Sequence, residues 1–250
     1  MKDIINRLYR KIFHRGGHGV HSPFVFNLIT KVIEDKTHYD CYETLSALRT
    51  QLSNSCDRLS CNYIISDFLN LYCFPEREDQ LLFRLANHFR PKNIFVRGCD
   101  LGLSSLYLTA GSEQSHCFVL ESWDDPSSFV RRLVKKHSSA SIEVLSDFKF
   151  LPEMVVADMY VWGNSFFDYS CKDKHKYETF SIEEFINLLD YMSDDSILVI
   201  AGINASKENK RTWKLICVDP SVTVSLDLYN IGIVFFNPKL HRKTYKSFVL

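Results

Sequence analysis

The sequence predicts an α/β fold: a mostly parallel, doubly wound sheet ending in an antiparallel hairpin, preceded by a helical region. Three observations carry that expectation. After Pro91, short β-branched or aromatic runs alternate with helical stretches, and before residue 90 the apolar positions follow helical spacing alone. The last two β runs are joined by only Tyr229-Asn230-Ile231, a link too short for anything but an antiparallel pair. Elsewhere the alternation implies right-handed crossovers between parallel strands.

In the leading region Ile4, Ile5, Leu8 and Ile12 share one helical face, and Phe24, Phe26, Leu28, Ile29, Val32 and Ile33 make a second apolar segment. Ser22 is placed to cap that segment, and Pro23 suits the first helical position, where no donor is needed. Further helices are expected over Tyr42–Leu52, Ile64–Tyr72 and Asp79–Phe89, so residues 1–90 read as a helical cap region and 91–250 as the α/β domain. In that domain strands are expected at Asn93–Val96, Cys117–Leu120, Ile142–Leu145, Val155–Val161, Ile197–Ala201, Val222–Leu228 and Gly232–Phe236. The intervening helices are Ser104–Ala110, Pro126–His137, Ile182–Met192 and Lys207–Cys217.

Composition narrows the class of protein. The chain has 250 residues, 46% of them hydrophobic, with only 9 Gly and 7 Pro, which excludes a low-complexity or disordered chain. Its 30 basic and 30 acidic residues cancel, but residues 1–21 and 228–250 each carry a net +4 and flank an acidic body. The apolar stretches Ile197–Ile203 and Ile231–Phe236 fall short of the ~20 residues that cross a bilayer. Asn6, Arg7, Arg10 and Lys11 interrupt the N-terminal apolar set, so no export signal is read and a cytoplasmic protein with reduced thiols is expected. The eight cysteines form no C-x-x-C and no zinc-ligand spacing with His, so no metal site is expected.

In an open sheet of this kind, ligands bind beyond the carboxyl ends of the strands. The first strand turns into its helix through Gly98-Cys99-Asp100-Leu101-Gly102, where glycines allow the backbone to approach a ligand closely. The dinucleotide fingerprint G-x-G-x-x-G is absent, which argues against a nicotinamide or flavin. Glu121 ends the second strand 23 residues after Gly98, close to the ~20-residue spacing at which an acid meets ribose hydroxyls. Asp147-Phe148 follows the third strand, a carboxylate for an adenine amino group beside a ring for its face. Each acid alone fits a solvated turn, and the loop alone fits a tight turn without a ligand. Three successive strand ends together favour an adenosyl group.

At these residues the chain resembles the class I S-adenosylmethionine-dependent methyltransferases, whose Rossmann-like seven-stranded fold ends in an antiparallel hairpin. More narrowly it resembles a bacterial branch of that family with the string HGVHSPFVF, here His18–Phe26. Gln80–Arg84, Pro91–Ile94, Leu101–Leu108, Leu226–Leu228 and Gly232–Phe236 also match. The resemblance implies S-adenosylmethionine as cofactor. Gly98, Cys99, Asp100 and Gly102 would border its methionine part, Glu121 its ribose and Asp147-Phe148 its adenine; Trp162, where this chain departs from the family, is a further cofactor-binding candidate.

The departures fall where that family does its chemistry. Val96 stands at an acidic position and Arg97 at a hydrophobic one. Trp162-Gly163-Asn164-Ser165 replaces D-G-N-H, and Ala201-Gly202-Ile203-Asn204 replaces an acidic pair followed by x-His. Ala201 and Gly202 supply no oxygen ligand, so transfer without a metal is expected. His175 heads a stretch like the family's H-R-Y-E-x-T after a longer loop and is a candidate base; Asn204 is the second catalytic candidate. His175 equally fits a solvated loop among Lys172, Lys174 and Lys176.

The leading expectation is methyl transfer to a small-molecule acceptor. Loss of the chemistry-side acids keeps open a second reading, a decayed relative serving as a binding or assembly module. The basic ends leave a weaker third, an anion or nucleic-acid binder.

Overall fold

The computed structural model describes residues 16, 17, 19–59, 64–98, 101–120, 124–137, 141–146, 150, 151, 155–163 and 180–248. Internal contacts divide the chain into two compact units, His38–Glu178 on the one hand and Met1–Thr37 with Thr179–Leu250 on the other. The helix expected over Ile4–Ile12 lies outside the described residues.

Unit His38–Glu178 opens with three helices, α2 (Asp40–Ser53), α3 (Ile65–Tyr72) and α4 (Glu76–Phe89), where α1 denotes the earlier helix Pro23–Leu28 of the other unit. α4 begins three residues before its apolar run suggests, because Pro75 and the acids Glu76, Glu78 and Asp79 favour a helix N-terminus. Arg90, at φ 51°, ends it in the left-handed region. Alternation then follows as expected: β1 (Asn93–Arg97), α5 (Leu103–Gly111), β2 (His116–Leu120), α6 (Asp124–His137), β3 (Ser141–Leu145) and β4 (Ala157–Trp162). The strands are parallel in the order β3-β2-β1-β4. Ile94, Phe95 and Val96 of β1 are at most 1% exposed, as befits a central strand covered on both faces.

In the other unit, α1 starts as the sequence requires: Pro23 takes the first helical position and the Ser22 hydroxyl accepts from the Val25 amide. It widens into a π-helical turn at Ile29–Ile33, closed by the Glu34 amide donating to the Ile29 carbonyl. The later elements are α7 (Ile182–Leu189), β5 (Met192–Ala201), α8 (Lys207–Val218), β6 (Val224–Asp227), β7 (Ile231–Phe235) and β8 (Lys243–Lys246), with strand order β5-β7-β6-β8. Ser181 and Glu184 form a reciprocal capping box on α7. The hairpin is antiparallel, and its turn holds Tyr229 at φ 82° with the Tyr229 amide donating to Asp227 Oδ1 at 2.9 Å.

Two strands depart most from expectation, β5 in where it starts and β8 in being there at all, as an eighth strand. β5 extends back through Ser193-Asp194-Asp195-Ser196, a polar stretch with no strand signal, partly held by Asn237 donating to Asp195 at 2.8 Å. β8 carries only one buried side chain, Tyr245, so its Lys-Thr-Tyr-Lys sequence shows no apolar alternation; pairing with β6 makes it a strand. Its lysines suit a sheet edge. Among the described residues no helix is long and apolar enough to cross a membrane.

Packing between α4 and α5 is close enough to reverse a propensity rule. A Cβ on Gly111 would fall well inside contact with the Phe83 carbonyl oxygen and 3.1 Å from Ala86 Cβ. Helix propensity favours Gly111→Ala by about 1 kcal/mol, but overpacking against backbone costs about 3 kcal/mol. The variant is expected to lose roughly 2 kcal/mol net, read as a lower urea midpoint.

A second expectation concerns Tyr42 of α2, whose hydroxyl donates to the Gln80 carbonyl at 3.2 Å. Burial, only partly opposed by Arg84, pushes its phenol up to about 12. The folded value lies above the unfolded one near 10, so the contribution is complete below pH 10 and is lost as pH rises through 12. Alkaline unfolding of Tyr42→Phe should therefore be less steep than wild type between pH 10 and 12.

Candidate functional site

Parallel pairing brings the carboxyl ends of four strands into line. Arg97 is in register with Leu120 of β2 and Trp162 of β4, and Leu120 with Leu145 of β3. The residues that follow are Gly98, Glu121, Ser146 and Gly163, so the acids expected at successive strand ends follow strands whose last residues are aligned. Cys99, Asp100, Glu121, Asp147, Phe148 and His175 themselves lie outside the described residues.

Both ends of the glycine loop are described. Gly98 leaves β1 at φ +118°, and a Cβ there would sit 3.1 Å from Gly163 Cα. The Gly163 amide donates to the Arg97 carbonyl at 2.7 Å, tying the end of β4 to the end of β1. At the far end Gly102 has φ +85°, and its missing Cβ leaves room for Val130 and Val134 of α6, 3.1–3.2 Å from where that atom would be. Leu101 is fully buried at φ 57°. α5 begins at once at Leu103, bringing the partial positive charge of a helix N-terminus to this end of the loop.

Trp162, the last residue of β4, is only 3% exposed, with the Arg97 guanidinium 5.4 Å from its ring centroid. Such a stacked cation is worth roughly 0.5–2 kcal/mol. Val96, where the resemblance places an acid, is 1% exposed between β2 and β4. In the other unit the Asn204 side-chain amide donates to the Tyr229 carbonyl, and Asn209 donates to Gly202 at 2.8 Å. Asn204 thus fastens the loop after β5 to the hairpin turn, with its carbonyl oxygen the atom left to offer a ligand.

Sequence reasoning passed over one residue here. Phe74, in the link between α3 and α4, is 2% exposed, and its Cε2 lies 3.9 Å from where a Cβ of Gly163 would be. It stands outside every motif of the alternation, in the region read as a helical cap. Among the described residues no three His, Cys, Asp or Glu side chains gather as metal ligands.

The sequence matches no protein-family model and no curated protein. Solved structures do share its fold. The SAH-bound methyltransferase PaMTH1 of Podospora anserina is 13% identical with a TM-score of 0.58, over 86% of this chain and 96% of that one. An O-methyltransferase from Bacillus cereus in complex with SAH is 13% identical with a TM-score of 0.52, over 85% and 97%. A methyltransferase from Geobacter sulfurreducens is 13% identical with a TM-score of 0.53, over 86% and 97%. The chain therefore has the α/β fold of these methyltransferases.

The Gly98–Gly163 approach yields a prediction. Gly98→Ala would place an L side chain at φ +118° against backbone. A cost of roughly 2 kcal/mol corresponds to a thermal midpoint about 6 °C lower in a chain this size, measurable by differential scanning fluorimetry.

Proposed function

We propose that this protein is an S-adenosylmethionine-dependent methyltransferase acting on a small-molecule acceptor without a metal ion. One observation supports the reading above others: the glycine loop between β1 and α5 starts at Gly98, where a Cβ would crowd Gly163 at 3.1 Å, and leads directly into the N-terminus of a helix. That cradle fits an adenosyl amino acid. Gly98, Cys99, Asp100 and Gly102 would hold its methionine part, Glu121 the ribose hydroxyls, Asp147 and Phe148 the adenine, and Trp162 would wall the site. The group supplies an electrophilic methyl on a sulfonium. The protein's share is positioning: the loop fixes one reactant, and His175 and Asn204 orient the acceptor, His175 taking its proton near neutral pH. Residues 1–90 are assigned as the helical cap region, with His18–Phe26 as the mark of the bacterial branch, and the protein as cytoplasmic.

A second reading is favoured by a specific arrangement. The acidic positions of the resemblance carry buried apolar groups, Val96 at 1% and Ala201 at 3% exposure, and Arg97 lies over Trp162. In that reading the chain is a binding or assembly module without turnover, with or without the cofactor.

Isothermal titration with S-adenosylmethionine and S-adenosylhomocysteine tests the first reading, with micromolar binding expected and at least tenfold weaker binding for Glu121→Ala. No heat at millimolar ligand would remove the first reading. Binding with no methyl transfer across a broad acceptor panel would leave the module.

A further inference from the structure

A buried ion pair outside the α/β alternation reaches the candidate loop. Asp79 of α4 is 0% exposed, and its Oδ2 accepts from the Arg49 guanidinium of α2. Its Oδ1 accepts from the Ser104 hydroxyl at 2.6 Å, a fully buried contact. Ser104 is the second residue of α5, two positions after Gly102. A carboxylate this deep is tolerated only where it is paired and hydrogen-bonded, so its place is sharply defined. It transmits that place to whatever it bonds.

The loop is thereby held from several sides. Its entry is fixed by the Gly163 amide on the Arg97 carbonyl. Its exit is fixed by Val130 and Val134 against Gly102, and one turn into α5 by Asp79 on Ser104. At the far end of α5, Gly111 seats against Phe83 and Ala86, so α4 grips α5 at two points seven residues apart on α5. Helix α5 can neither slide nor rotate on α4 without breaking one of them.

Resting on the methyltransferase reading, we propose that Asp79 and Ser104 are positioning residues, with Arg49 as their counter-charge: the Asp79–Ser104 bond sets the first turn of α5 and through it the ligand-binding geometry of Leu101 and Gly102, the described end of the glycine loop. Neither residue needs to touch the cofactor. The neighbouring Ser105 provides the control, because its hydroxyl is equally buried but has no hydrogen-bond partner among the described residues.

The test compares Ser104→Ala with Ser105→Ala, the same chemical change at adjacent buried positions. Hydrogen exchange of the ligand-free protein should be about fivefold faster in the peptide spanning residues 98–106 for Ser104→Ala, and unchanged for Ser105→Ala. The peptide spanning β2 should match wild type in both. S-adenosylhomocysteine, titrated into each, should bind about tenfold more weakly to Ser104→Ala only. Wild-type exchange in Ser104→Ala, or equal loosening in both variants, would overturn the positioning role. Loosened exchange with unchanged affinity would overturn its link to the ligand. Failure of wild type to bind S-adenosylhomocysteine would sink the methyltransferase reading instead, and the exchange comparison would still decide whether Asp79 and Ser104 set the loop.

Discussion

The candidate site depends on the approach of two backbones at Gly98 and Gly163. β1 and β4 end side by side, and the Gly163 amide closes onto the Arg97 carbonyl at 2.7 Å. A Cβ on either glycine would meet the other strand at 3.1 Å. This constraint draws the ends of β1 and β4 together and has the chain leave β1 through Gly98 at φ +118°. It also brings Phe74 beside Gly163, so the link between α3 and α4 belongs to the same neighbourhood.

Helices that precede the alternation therefore take part in the site. α4 lies in the same compact unit as β1 to β4 and meets α5 through a backbone carbonyl at Gly111 and a buried carboxylate at Ser104. The second contact is ionic at its root, since Asp79 is held by Arg49. An apolar interface alone would let two helices slide in small steps, whereas a buried charge with fixed partners selects one register. Position here is governed by polar chemistry inside a packed layer.

Legibility varied with the range of the physics involved. Gly98 and Gly102 announce themselves because a strand, a short glycine-bounded loop and a helix are adjacent in the chain. The Ser22-Pro23 helix start was equally plain, since capping acts over three residues. β8 was invisible because only Tyr245 is buried in it, and a strand with one buried residue is defined by its neighbour β6. Arg97 over Trp162 was out of reach for a similar reason: the two are 65 positions apart, and only strand register makes them partners.

By itself the sequence determined the α/β alternation, the terminal hairpin and the glycine loop, because periodicity, turn length and glycine spacing are properties of neighbouring residues. Tertiary structure alone decided that Gly163 faces Gly98, that Asn204 donates to Tyr229, and that Asp79 sits on Ser104. Those pairings join residues 25 to 65 positions apart. Each is a contact between single polar or backbone groups, which leaves no periodic trace along the chain and exists only once the sheet register and helix packing have brought the partners within reach.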